Sequence, residues 1–470
     1  MSRILEQIEH IVVVMFENRS LDNMLGWLYP AENPPKIVIP AGSAPAFNGV
    51  LPEMWNPLSS GQDNPPTRVA VTASTADSQV PNPDPQETFA NVTYQIFGPG
   101  GAAAANVPMR GFVDDYATTA TDNPAQIMEC HGTAQLPVLS ALARSYAVSD
   151  AWYASVPSQT WPNRAFVHAG TSNGHVNNGN PPDPREWDVP TIFGVLQTMG
   201  ASWSVYSDTI LTPSLTRTMF PSLWPLDLES HFHGFSAFVE ACAEQTLPQY
   251  SFIEPSFLLE PNDQHPPHDT LAGEAFLHAI WTALSTSKSW DKTLLVITFD
   301  EHGGCFDHVM PPNNATPPDA VSTPGDEGFG FDRFGIRVPA VIVSPYIAAG
   351  TVFRAAGETP YDHTSILATL RDWLEIPAAQ MLPSRRIASA PTLAQVLTLT
   401  EPRTDLPHID APMSRRFQPA MTEAPNDLQR SLVSGSARRM GLDPKAAVAA
   451  LTTRQHAVDF FTQNPAHPHA

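Results

Sequence analysis

The chain has 470 residues, 42% hydrophobic and only 15% charged, which is ample material for a folded core and excludes a charged disordered chain. Lys and Arg number 25 against 47 Asp and Glu, and the formal charge of −22 argues against a nucleic-acid partner and against electrostatic steering to an anionic membrane. Three cysteines, Cys130, Cys242 and Cys305, are too few for a disulfide framework.

The N-terminus MSRILEQIEHIVVVMFENRS lacks the basic start, long apolar stretch and small-residue cleavage site of a signal peptide. No apolar run reaches the roughly 18 residues of a membrane span. The expectation is a soluble chain, cytoplasmic or exported by a signal-independent route. Ile8 to Phe16 is rich in Val and Ile and reads as a buried parallel strand. Ser20 then caps a helix through Leu28. Residues 30–110 are dominated by Pro, Asn, Gly, Ser and Ala, and the spacing predicts long surface loops.

Leu136 to Tyr146 has helical spacing, and Ala147 to Tyr153 reads as a short strand. Trp161 to Gly170 reads as a helix opened by Thr160, with Pro162 in its first turn. A helix over Thr191 to Met199 and an extended Ser202 to Ser207 follow. Gln249 to Ile253 is a strand candidate and Thr270 to Ser287 an amphipathic helix. Thr293 to Phe299 and Val338 to Ser344 are two further buried strands, and Ser365 to Leu374 is a helix. Strands alternating with helices imply an α/β fold with a mainly parallel sheet flanked by helices. Residues 1–400 read as one catalytic unit. Residues 401–470 read as an accessory segment, Ala-rich and helical from Asp427 to Phe461.

In open α/β sheets, sites lie beyond the carboxyl ends of strands. The first strong strand ends in Glu17-Asn18, and the second in Asp300-Glu301-His302 followed by two glycines. Such oxygen-rich termini suit one hard divalent cation, although acids there also cap helices or face solvent. Ser158-Gln159-Thr160-Trp161-Pro162-Asn163-Arg164 places the Thr160 hydroxyl at a helix N-terminus, where N–H groups and dipole favour an anion. Read locally, Thr160 is more simply an ordinary N-cap. His265 and His268 flank a Pro-Pro pair, His308 follows Asp307, and His363 precedes a helix. Such imidazoles bind phosphoryl oxygens or protonate a leaving group, or are simply solvated.

FENRSLDNMLG, SVPSQTWPNRAF, NDQHPPHD, TFDEHGGCFDHVMPP, RVPAVIVSPYI and YDHTSILATL follow one another in this order. Together, over roughly residues 8–376, they resemble the bacterial phospholipase C and acid phosphatase superfamily, which includes plant non-specific phospholipases C. The resemblance implies an alkaline phosphatase/arylsulfatase-like fold. It puts the family's metal pattern on Glu17, Asn18, Asp300 and Glu301. Its nucleophile falls on Thr160, also an implied metal ligand. Asn18, His308 and His363 would join the phosphate contacts, and His265 and His268 those to phosphate or leaving group. Some relatives carry Asp-Pro-x-His where this chain has Asp84-Pro85-Gln86-Glu87, so Glu87 stands where an imidazole would touch substrate.

The expectation is a metal-dependent phosphoesterase with a phosphothreonine intermediate, most simply a phospholipase C acting on phospholipid phosphodiesters. An acid phosphatase acting on phosphomonoesters is the alternative enzyme. A catalytically inactive phosphate-ester binding protein is the non-enzymatic one. The all-oxygen ligand set favours Ca²⁺, Mg²⁺ or Mn²⁺, and similarity to alkaline phosphatase adds Zn²⁺.

Overall fold

The three apolar runs become neighbouring strands at the centre of one sheet. A computed structural model of the chain describes residues 5–59, 66–74, 77–101, 108–179, 182–208, 211–226, 228–412 and 418–465. The sheet strands, in chain order, are β1 (His10–Phe16), β2 (Ile37–Ile39), β3 (Ala147–Ser149), β4 (Trp203–Ser207), β5 (Phe232–Gly234), β6 (Tyr250–Glu254), β7 (Thr293–Phe299), β8 (Ala340–Val343) and β9 (Thr351–Phe353). They lie in the order β5-β4-β6-β1-β7-β8-β3-β9-β2. Pairing is parallel except for β8, which runs antiparallel to both β7 and β3. Every residue of β7 is buried, as are all but the first of β1, so both faces of the central sheet are covered.

Register decides what stands beyond the strand ends. β1 and β7 pair with Phe16 opposite Phe299, so Glu17 and Asp300 leave the sheet side by side. β6 pairs with the other edge of β1, and its carboxyl end leads into the loop carrying Asp263, His265 and His268. Three loops therefore open at one end of three adjacent parallel strands.

Helices bear out the sequence periodicity, with shorter bounds. α1 (Leu21–Leu25) is capped by Ser20, which accepts from the Asn23 N–H, and it stops well before Leu28. α2 (Phe89–Phe97) lies in the stretch expected to be loop, together with paired strands at Trp55–Leu58 and Thr67–Ala70. α3 spans Pro137–Ser145, α4 Thr160–Ala169, α5 Ile192–Met199, α6 Thr270–Thr286 and α7 Thr364–Trp373.

The C-terminal segment forms α8 (Asp427–Arg439), α9 (Pro444–Ala449) and α10 (Arg454–Gln463). Leu428, Leu432, Val433, Leu451 and Phe461 belong to the same apolar cluster as the sheet. All three cysteines are free and buried. No described helix is long and apolar enough to cross a membrane.

Candidate active site

Glu17, Asn18, Asp300 and Glu301 are all buried at the ends of β1 and β7. Asp300 Oδ1 accepts the N–H groups of Asn18 (2.9 Å) and Glu301 (2.8 Å). Glu301 Oε2 accepts the Gly303 N–H at 2.7 Å. The backbone turns sharply here: Asn18 has φ +55° and Gly303 φ +61°. A Cβ on Gly303 would sit 2.1 Å from the Asn18 carbonyl oxygen, so the two loops lock together only around glycine.

Phe16 stands opposite Phe299 and the Asp300 carboxylate takes the Asn18 N–H, so the two strand ends do converge. Burial pushes the Glu17 carboxyl well up, Arg164 opposes this, and Asp300 adds to it. Glu301 is raised by burial, then by Asp300 and Glu87. Asp300 Oδ2 and Glu301 Oε1 are buried with no hydrogen-bond partner among the described residues. Like-charged oxygens left bare in a dry site fit a cation, because an uncompensated buried carboxylate is costly. The residues present therefore fit a divalent ion. Among the described residues, the acidic group whose ligand atoms all lie within 4.8 Å of one another is a different one, Asp22, Asp307 and His308. There the Arg337 guanidinium already donates to Asp307 (3.0 Å) and Asp22 (2.9 Å), so an arginine fills that cluster.

Thr160 faces the carboxylates. Its Oγ1 lies 3.3 Å from Glu17 Oε2 and 3.4 Å from Asn18 Oδ1. The Pro-Asn-Arg sequence explains how it is held. Asn163 bonds to the carbonyls of Val156, Ser158 and Gln159 and accepts the Val156 N–H, stitching the preceding loop to α4. Arg164, one turn into the helix, pairs with Glu17, with Nε at 3.0 Å.

Thr160 is the first helical residue rather than the cap. Gln159 holds the cap position without a side-chain cap bond. The helix N-terminus also offers less to an anion than the sequence implies. Asn178 Oδ1 takes the Trp161 N–H at 2.7 Å, Pro162 has none, and Asn163 N reaches Gln159 O at 3.5 Å. The Thr160 N–H makes no hydrogen bond among the described residues.

The histidines separate into two groups. His265 and His268 are buried in the loop after β6, which abuts the carboxylates through a Glu17 N–H bond to the Asp263 carbonyl (2.9 Å). His268 Nδ1 lies 2.7 Å from Asp263 Oδ1. Burial lowers His265 to about 4, so it is neutral near pH 7.

His363 and His308 do not join them. His363 Nε2 meets the Asp300 carbonyl at 2.6 Å and its Nδ1 is 3.5 Å from Trp152 Nε1, leaving neither nitrogen for phosphate. His308 Nδ1 meets Asp22 Oδ2 at 2.5 Å and its Nε2 meets Asn48 Oδ1 at 3.1 Å, inside the Arg337 cluster. Their expected phosphate contacts give way to structural bonds.

Glu87 is buried beside the loop that precedes Thr160, 3.4 Å from Gln159 Nε2. Burial pushes its carboxyl well up, and Asp84 and Asp427 add to this. A cavity of about 710 Å³ opens there, lined by Gln159, Asn177, Asp427 and Arg430 among others.

Sequence reasoning missed Asp263, Asn178, Asp427 and Arg19. Arg19 is fully buried and binds the carbonyl of Gln264 at 2.6 Å, anchoring the histidine loop. Its place directly after Glu17-Asn18 was the available signal. Asn178 and Asp427 carried none.

The Phosphoesterase family model matches residues 8–377. Non-specific phospholipase C6 of Arabidopsis thaliana is 33% identical over 440 residues, covering 91% of this chain and 79% of the plant protein. Non-specific phospholipase C3 of the same plant is 35% identical over 414 residues, covering 85% and 75%. Phospholipase C B of Mycobacterium tuberculosis (strain ATCC 25618 / H37Rv) is 26% identical over 461 residues, covering 87% and 81%. Among solved structures, a protein in the alkaline phosphatase superfamily from Vibrio parahaemolyticus aligns with TM-score 0.33 and 13% identity, covering 55% of this chain and 65% of that one.

Proposed function

Because the chain belongs to the Phosphoesterase family, we propose that it hydrolyses phospholipid phosphodiesters as a metal-dependent phospholipase C, through a phosphothreonine on Thr160. It is a phosphoric ester hydrolase, and the proposal concerns its substrate and route. One observation carries the reading: a buried hydroxyl at a helix start, 3.3 Å from Glu17 and 3.4 Å from Asn18, beside unpartnered carboxylate oxygens.

Glu17, Asn18, Thr160, Asp300 and Glu301 would hold the cation. Bound there, a divalent ion supplies positive charge that makes the hydroxyl more acidic and offsets charge on the phosphoryl oxygens. The all-oxygen set favours Ca²⁺, Mg²⁺ or Mn²⁺, with Zn²⁺ as the softer alternative.

The chain's own groups do the rest. Thr160 Oγ1 attacks phosphorus, and its proton passes towards Glu17 Oε2. The Thr160 N–H donates to a phosphoryl oxygen. The diacylglycerol alkoxide leaves with a proton from the histidine loop, where Asp263 orients His268. Water then attacks the phosphothreonine, releasing the phosphorylated head group and restoring the hydroxyl. Glu87, whose carboxyl burial pushes up, stands where some relatives would place an imidazole against the substrate.

Turnover of p-nitrophenylphosphorylcholine against p-nitrophenyl phosphate, with and without chelator, tests this. The diester is expected to react at least about tenfold faster, and chelator to abolish both reactions. Thr160→Val, which keeps the shape and removes only the oxygen, should lose several orders of magnitude. Faster monoester turnover would point to an acid phosphatase. No turnover of either ester would leave only a binding role.

A further inference from the structure

Side chains from three distant parts of the chain meet just before Thr160, and one lies beyond residue 377, where the family match ends. Gln159 Nε2 donates to Asp427 Oδ2 at 3.0 Å, and Asn178 Nδ2 donates to the same oxygen. Gln159 Oε1 accepts the Asn178 N–H at 3.1 Å. Asn178 Oδ1 in turn holds the Trp161 N–H at 2.7 Å. These bonds form a closed ring around the first turn of α4.

Asp427 is itself firmly placed. Asn426 and Gln429 form a capping box at the start of α8, and Gln429 Nε2 donates to the Phe257 carbonyl at 2.9 Å. Leu428, Leu432 and Val433 are buried in the main core. A Cβ at Gly435 would lie 2.5 Å from Thr218 Cγ2, so α8 sits tightly against its neighbour.

We propose that Asp427 is a positioning residue for the phosphoesterase reaction, acting through Gln159 and Asn178 to fix the first turn of the helix that carries Thr160. The inference rests on the reading of Thr160 as nucleophile. A carboxylate serving two amide donors is a poor partner for phosphate, since like charges repel. Its effect therefore runs through geometry. With the acceptor gone, the Asn178 and Gln159 amides turn freely. The Trp161 N–H loses its fixed partner and competes with the Thr160 N–H for a phosphoryl oxygen. Thr160 Oγ1 then leaves its line to phosphorus, a misplacement that lowers the rate of attack without removing substrate contacts.

Steady-state kinetics of the full-length protein on p-nitrophenylphosphorylcholine decide it. Asp427→Ala should lower kcat about 10- to 100-fold while KM stays within about threefold. Asp427→Asn keeps the shape and one acceptor oxygen, and should recover part of that loss. It also carries the test if the alanine variant does not fold. Gln159→Ala completes a double-mutant cycle. The double variant should be no slower than the slower single variant, because both cut one chain of contacts.

Unchanged kcat, a loss confined to KM, or multiplicative losses in the cycle would overturn the proposal. Thr160→Val in the same assay separates the two readings. Retained turnover there removes the nucleophile and this inference with it. Abolished turnover there, with Asp427→Ala and Asp427→Asn unaffected, removes only the positioning role.

Discussion

Cys305 lies four residues beyond Glu301, with its sulfur 3.8 Å from the Asn18 carbonyl oxygen. Burial pushes its thiol up to about 12, so no thiolate is available near neutral pH. Cys305→Ala should keep most of the esterase activity. A loss approaching that of Thr160→Val would make sulfur part of the chemistry. Glu17, Asn18, Asp300 and Glu301 were legible because their signal is local, each standing directly after a buried strand, whereas Thr160 stood out through the Pro-Asn-Arg motif of the resemblance. Asp427 was not. It meets Gln159 across 268 positions and Asn178 across 249, and nothing near it in the chain indicates either. The partners of His308 and His363 were hidden for the same reason. What a buried imidazole does depends on the distant groups that take its two nitrogens, here Asp22 and Asn48 in one case and Asp300 and Trp152 in the other.

Between elements, two contacts make separate predictions. Gly303 sits at φ +61° with the Asn18 carbonyl where a Cβ would go. Gly303→Ala should destabilise the protein by more than about 2 kcal/mol, from the backbone strain plus the clash, and should depress activity through the displaced Asn18. Thermal unfolding of the variant measures this, and an unshifted midpoint would contradict the close approach.

Glu274, within α6, accepts the Leu139 N–H at 3.3 Å and also the Val138 N–H, capping the start of α3 from outside. Burial raises its carboxyl from 4.5 to about 8, and the two N–H bonds pull it back only in part. Below its unfolded value both states are protonated and the contribution is complete. As pH rises towards 8 the unfolded chain ionises first, and stability on the order of 4 kcal/mol is lost. Denaturant unfolding at pH 5, 6.5 and 8 should show a steeper fall for the parent than for Glu274→Gln. Parallel profiles would mean that Glu274 is ionised throughout.

Long elements were legible, since β7 and α6 each carry several repeats of their own period. Strands β2, β5 and β9 have three residues each, too few to show any period. α8 read as part of an accessory segment, and its buried face is built partly from Gln429, Ser431, Ser434 and Ser436, which give no apolar stripe.

Across the whole molecule, α8–α10 pack on the core of the sheet, and α8 and α9 line the cavity beside Gln159, although their composition suggested an accessory segment. Removing residues 401–470 would expose the partners of Leu428, Leu432 and Phe461. The shortened chain should aggregate or unfold without cooperativity, as circular dichroism on heating would show. A soluble, cooperatively folding 1–400 chain would establish an autonomous catalytic unit. The formal charge of −22 matters at this scale as well. It makes approach to an anionic lipid surface unfavourable, so turnover on such vesicles should rise with ionic strength as the repulsion is screened.

The proposed covalent route through Thr160 would join the strand ends, the first turn of α4 and the histidine loop in one reaction, and the stereochemical course at phosphorus tests it most directly. With a chiral phosphorothioate diester, two in-line displacements through phosphothreonine give net retention of configuration. Inversion would show a single direct attack by water and would remove Thr160 from its role.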